Sequence, residues 1–177
     1  MRKVKVDMSE LALAFETDFP EASSLLNVET GEVLMVTDEV REAIDEFFEE
    51  TDIKEGEDPK AKFEEWLKEY HCPEWQRDSI REAYLVETDS GERFIQMPTQ
   101  ESRDGYRDMA EFAEAVGDRH LQELLSVALN GKGAFRRFKD VLADYPDTRK
   151  QWFEFSEQKV KERILEWLES EEIEVEQ

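Results

Sequence analysis

Between residues 102 and 168 the large apolar side chains recur at intervals of three and four, and only a helix of 3.6 residues per turn gathers such positions onto one side. Tyr106, Met109, Ala110, Ala113 and Val116 form one stripe, and Leu121, Leu124, Leu125 and Ala128 the next, with Gly117-Asp118 as the break between them. Asn130-Gly131 suits the end of that second helix, because glycine readily takes the left-handed conformation that closes a C-terminus. Phe135, Phe138, Val141 and Leu142 supply a third stripe. Tyr145-Pro146-Asp147 reads as a turn, and Trp152, Phe155, Val160, Ile164, Trp167 and Leu168 as one or two terminal helices. The pattern fades after Glu169, so residues 171–177 are expected to fray.

The first half is mixed. Asp7-Met8-Ser9-Glu10 fits a helix cap, followed by Leu11, Ala12, Ala14 and Phe15 on an apolar side. Two β-prone runs, 25–28 and 33–36, flank Glu29-Thr30-Gly31-Glu32, which predicts a hairpin with glycine at a position of positive φ. Thr37 or Asp38 can cap a helix over 39–50, in which Val40, Ile44, Phe47 and Phe48 share a face. Residues 51–59 hold five charged side chains, a glycine and a proline, and predict a loop. Phe63, Trp66, Leu67 and Tyr70 mark a further helix, Pro73 interrupts it, and Ile80, Ala83 and Tyr84 continue toward Val86. Residues 93–97 read as a strand that Pro98 stops. The expected fold class is therefore α+β and mainly α-helical. A small antiparallel β-hairpin or three-stranded sheet lies near the N-terminal half, and a helical cluster forms the C-terminal half. We expect a single domain over 1–177, with a helix-hairpin-helix part over about 1–98 and a helical part over about 99–170.

Charge limits the partners. The chain of 177 residues carries 46 acidic against 23 basic side chains, a formal charge of -23. Such a field repels nucleic-acid phosphates and anionic membranes and favours cationic partners, so nucleic-acid binding by the whole chain is disfavoured. The acids are interleaved with aromatic and aliphatic residues at helical spacing, which separates them from a disordered tail. Met1-Arg2-Lys3-Val4-Lys5-Val6-Asp7 is not followed by the apolar run of a secretory signal, and no stretch approaches the roughly 20 apolar residues of a membrane span. One cysteine, Cys72, forms no intrachain disulfide, which suits a reducing cytoplasm.

The sign inverts in one place. Residues 130–150 contain six Lys or Arg against three Asp, a net +3 that leaves -26 for the remainder. At its head stands Gly131-Lys132-Gly133-Ala134-Phe135-Arg136-Arg137-Phe138-Lys139-Asp140. Gly131 and Gly133 free backbone N–H groups at a helix start, where the macrodipole favours an anion, and Lys132, Arg136, Arg137 and Lys139 are candidate contacts for it. The segment is not a Walker loop, because Lys132 is followed by Gly133 and Ala134 and no hydroxyl stands ready for magnesium. The competing reading is architectural: the two glycines join helices, Phe135 and Phe138 face inward, and the cations pair with surface carboxylates. Trp152 and Phe153 carry the same ambiguity between core and docking face.

Together with Tyr145-Pro146-Asp147, Trp152-Phe153 and Glu166-Trp167-Leu168, this segment resembles the C-terminal signature of the bacterial Uncharacterised Protein Family 0158. The resemblance runs from Ser102-Arg103-Asp104-Gly105-Tyr106 through Leu168, and more weakly through the hairpin Asn27-Val28-Glu29-Thr30-Gly31-Glu32-Val33. It implies a cytoplasmic bacterial protein and carries no catalytic residue, because the family has no established activity.

No other constellation specifies chemistry. His71-Cys72 and the distant His120 are too few for a four-ligand zinc site, so no metal and no cofactor are expected. Cys72 reads as a buried or helix-end cysteine rather than a nucleophile, and His120 as a surface histidine. The carboxylates at 49, 50, 52, 55, 57 and 58 lack the calcium-loop spacing and read as a solvated face. The functional expectation is a non-enzymatic interaction or regulatory module with a protein partner. Its contact surface would be formed by Gly131, Lys132, Gly133, Arg136, Arg137, Lys139, Trp152 and Phe153. The alternatives are a nucleotide, phosphate or nucleic-acid binder at residues 131–139, and an enzyme of a class the motifs do not specify.

Overall fold

The computed structural model describes residues 1–176 and divides them into two compact units. One comprises Met8–Asp18 and Thr99–Glu174; the other comprises Arg2–Asp7, Phe19–Pro98 and residues 175–176. The architecture is mainly α with a three-stranded antiparallel sheet, as the periodicities predict.

The sheet-bearing unit starts with a short strand β1 (Arg2–Val4). Strand β2 (Ala22–Asn27) pairs antiparallel with β3 (Val33–Thr37), Leu25 opposite Leu34, and with β4 (Phe94–Gln96), Leu26 opposite Ile95, giving the order β3-β2-β4. Of the two sequence options, the hairpin alone or three strands, the second is realised. The turn is built by Asn27, whose side-chain oxygen accepts from the amides of Glu29 and Thr30 while its carbonyl accepts from Gly31. Gly31 has φ +78°, and a side chain there would drive its Cβ to 1.8 Å from the Lys5 carbonyl oxygen. Only glycine meets both demands.

Three helices cover this sheet. Thr37 caps α2 (Asp38–Glu50), its hydroxyl accepting from the Val40 amide, so the hairpin ends where the helix starts. Asp58 caps α3 (Pro59–Glu69), and α4 (Glu74–Glu87) follows after the break that Pro73 imposes. Phe47, Phe63, Leu67 and Ile80 are fully enclosed among Val36, Ile44 and Phe94. Through that core runs an aromatic column. Tyr84 stacks on Phe63 at 4.0 Å, Phe63 on Trp66 at 6.3 Å, and Trp66 on Tyr70 at 4.4 Å.

The helical unit contains α1 (Met8–Glu16), α5 (Ser102–Ala115), α6 (Arg119–Ala128), α7 (Ala134–Ala143) and α8 (Pro146–Ser170). Asp118 caps α6 through the Leu121 amide, in the break read at Gly117-Asp118. The terminal segment is one helix of 25 residues. Met109, Leu121, Leu125, Phe138 and Leu142 form the core with Trp152, against which Phe112 and Phe138 stand edge-on at 5.4 and 4.9 Å. Asp108 lies inside this unit with a bidentate partner: Arg163 donates to its two oxygens at 2.7 and 2.5 Å, fastening α5 to α8.

The tail corrects one expectation. Residues 171–176 are not frayed: Glu172 turns at φ 59°, strand β5 (Ile173–Val175) follows, Ile173 is buried, and the Glu176 amide donates to the Val4 carbonyl at 2.9 Å. β1 and β5 are three residues long and, unlike β4, which Gly91 and Pro98 bracket, have no glycine or proline beside them to set them off in the sequence, so both were missed. Gln177, the last residue of the expected tail, lies outside the described residues.

Candidate functional site

The basic corner is assembled where α6 ends and α7 begins. Gly131 and Gly133 both adopt left-handed backbone, φ +78° and +77°, and Gly133 occupies the N-cap of α7. No side chain caps that end, and the substituent-free glycines leave the turn open.

The cations divide by what they touch. Arg137 turns back onto the preceding helix: its Nε donates to the Ala128 carbonyl at 3.1 Å and an Nη to the carbonyl of Asn130. Tyr106 adds its hydroxyl to the Leu129 carbonyl at 3.1 Å. Two side chains thus satisfy the carbonyls that a helix C-terminus leaves open, and the guanidinium also meets the negative end of the macrodipole. Arg136 points elsewhere. Among the described residues its one ionic neighbour is Asp140 at 3.8 Å, and the two side chains are 89% and 70% exposed. Among the described residues Lys132 and Lys139 are exposed and make no ion pair.

The aromatics divide in the same way. Trp152 is buried in the helical core, whereas Phe153 is 49% exposed with the Arg149 guanidinium 5.3 Å above its ring. Phe138 is enclosed and Phe135 is 43% exposed, so only one of the pair faces inward. Of the eight residues read as a contact surface, Gly131 and Gly133 shape the turn, Arg137 and Trp152 serve the fold, and Lys132, Arg136, Lys139 and Phe153 face solvent. Phe135 and Arg149 stand with them, and helical phase could not have told this, because each lies three residues before a buried side chain, Phe138 or Trp152, and so on nearly the same face.

Comparison with known proteins identifies the family. The pattern of the Uncharacterised protein family UPF0158 matches residues 78–176, more than half of the chain. The chain belongs to that family. It is also 22% identical over 173 residues to a UPF0158 protein of Pseudomonas aeruginosa, an alignment that covers 98% of this chain and 87% of that protein. No solved structure matches the chain. The matched span of the UPF0158 pattern includes the whole basic corner, β4 and the part of α4 from residue 78 onward.

Other candidate groups fall apart in space or chemistry. Cys72 is half-buried between α3 and α4, and His71 and His120 are both exposed. Among the described residues no three His, Cys, Asp or Glu side chains gather in a metal-holding group, and no helix is long and apolar enough to cross a membrane. Carboxyl perturbations are also local. Asp89 is held below the usual range by the amides of Arg93, Phe94 and Gly91, which its carboxylate accepts. Glu82 is pushed up by burial first, and then by Asp78 and Glu32.

Proposed function

We propose that this UPF0158 protein is a non-enzymatic interaction or regulatory module of the bacterial cytoplasm that docks an acidic segment of a partner protein on the outer faces of α7 and the first turns of α8. One observation carries the reading. Once the cations that hold the fold together are set aside, Arg136 and Lys139 remain one helical turn apart on α7 without a strong internal partner, and Phe135 and Phe153 are exposed on the same two helices. Arginine and aromatic groups anchor protein interfaces, and a net positive segment within a chain of charge -23 selects for acid in its partner. A single cysteine suits the reducing compartment.

The test places a photocrosslinking residue at Phe153 in living cells and compares the native chain with Arg136→Glu/Lys139→Glu. A discrete adduct whose partner contributes an acidic peptide, lost on charge reversal while helicity is retained, is the expected result. An adduct unchanged by charge reversal sinks the reading, and an adduct to nucleic acid replaces it with the phosphate-binding alternative.

A further inference from the structure

The sheet-bearing unit holds a second feature of opposite sign. A cavity of about 490 Å³ opens between α2 and α3, lined by Glu46, Glu50, Trp66, Glu69, Tyr70 and His71. Its aromatic wall is the end of the column that begins at Tyr84: Trp66 covers one face of Tyr70, and among the described residues no other ring contacts Tyr70. Acid stands beside both rings. The indole N–H of Trp66 donates to Glu50 at 3.0 Å, and the Tyr70 hydroxyl is pushed up by burial first and then by the neighbouring Glu46 carboxylate.

Among the described residues, Glu46, Glu50 and Glu69 have no Lys or Arg within ion-pair distance, although the flanking helices do supply such pairs elsewhere, as in Arg81 with Glu64 and Arg41 with Glu87. The same carboxylates do not converge into a metal-holding group. Negative charge is therefore spread around a space wider than one inorganic ion, beside two stacked π systems. A bulky, weakly hydrated organic cation answers all three conditions at once: the volume, the uncompensated charge and the aromatic wall.

We propose that the cavity between α2 and α3 is a binding site for an alkylammonium group, seated against Tyr70 and Trp66 and neutralised by Glu46, Glu50 and Glu69. The group belongs either to a lysine-type side chain of a basic peptide or to a free polyamine. The aromatic column makes the site rigid. Tyr70 is stacked on Trp66, Trp66 on Phe63, and Phe63 lies in the buried core, so the wall stands before any ligand arrives.

The experiment is a titration of the full chain followed by the four indole N–H resonances, that of Trp66 being identified by its loss in Trp66→Phe. The probes are tetramethylammonium and its neutral isostere neopentyl alcohol, then spermidine and an acetylated, amidated lysine peptide. Tetramethylammonium is expected to shift the Trp66 signal to saturation and neopentyl alcohol to leave it in place. Tyr70→Leu should weaken binding at least tenfold, and Glu46→Gln/Glu50→Gln by a similar factor. Tyr70→Phe keeps the ring and the packing, so it should stay within about threefold of the native chain. Tighter binding of the peptide or of spermidine names the source of the ammonium group, and either result supports the site. Equal shifts at all four indoles, an equal response to the neutral isostere or to magnesium, or binding indifferent to both Tyr70→Leu and Tyr70→Phe would overturn it.

Discussion

The helical unit and the sheet-bearing unit close their helices by the same device and leave opposite charges behind. In the first, Arg137 of α7 reaches back to the carbonyls of Ala128 and Asn130 at the end of α6. In the second, Arg77 of α4 reaches back to those of Leu67 and Tyr70 at the end of α3. Both guanidiniums answer the unsatisfied acceptors and negative pole of a helix C-terminus. What remains differs. Around α7 the residual side chains are Arg136, Lys139 and Lys132; around the α2–α3 cavity they are Glu46, Glu50 and Glu69. A charge that terminates a helix is part of the scaffold, and only the remainder is available for recognition.

The sharpest way to test that division is to remove a charge that belongs wholly to the scaffold. Arg163→Met leaves Asp108, 2% exposed, without its guanidinium, and should cost about 3 kcal/mol, because an uncompensated buried charge costs more than the pair contributes. The urea midpoint measures this, and Asp108→Asn/Arg163→Met should recover part of the loss. A single variant as stable as the native chain would remove the pair from the account of how α5 meets α8.

A smaller effect separates neighbours. Arg137→Ala should cost about 1 kcal/mol through the two carbonyls it abandons, whereas Arg136→Ala should stay within about 0.5 kcal/mol, as exposed helix pairs do. Thermal melts of the two variants side by side decide it. Equal losses would erase the distinction between scaffold and surface on α7.

The smallest effect lies in the acidic unit. Burial and the neighbouring Asp78 and Glu32 raise the Glu82 carboxyl above its ordinary range, so the fold favours the neutral acid. That contribution is present below the ordinary carboxyl pKa and is lost as pH rises through the folded value, which makes ionised Glu82 a burden at neutrality. Glu82→Gln should raise the melting temperature by about 1 °C at pH 7, and the gain should vanish below about pH 4. A gain that persists in acid would point to packing instead of charge.

Much of the fold was legible because it is written locally. The stripes at 106–116, 121–128 and 135–142 each became a helix, the break at Gly117-Asp118 supplied a cap, and Gly31 took the positive φ its turn demanded. The corner at 131–139 was found from charge alone, yet charge did not tell Arg136 from Arg137. That difference depends on which side of α7 faces the end of α6. The cavity was invisible for a related reason: Glu46 and Glu50 belonged to one predicted helix, Trp66 and Tyr70 to another, and nothing in their spacing said that the two faces meet.

By itself the sequence determined the helices, the hairpin and the place where the charge inverts, since periodicity, turn chemistry and local composition are properties of neighbouring residues. Tertiary structure decided which charges are consumed and which are left over. Arg163 finds Asp108 across 55 positions and Trp66 finds Glu50 across 16, and such pairings follow from how helices pack. Burial then fixes the outcome: a polar group withdrawn from water must find a partner within the fold, while one left in water remains free to meet a ligand.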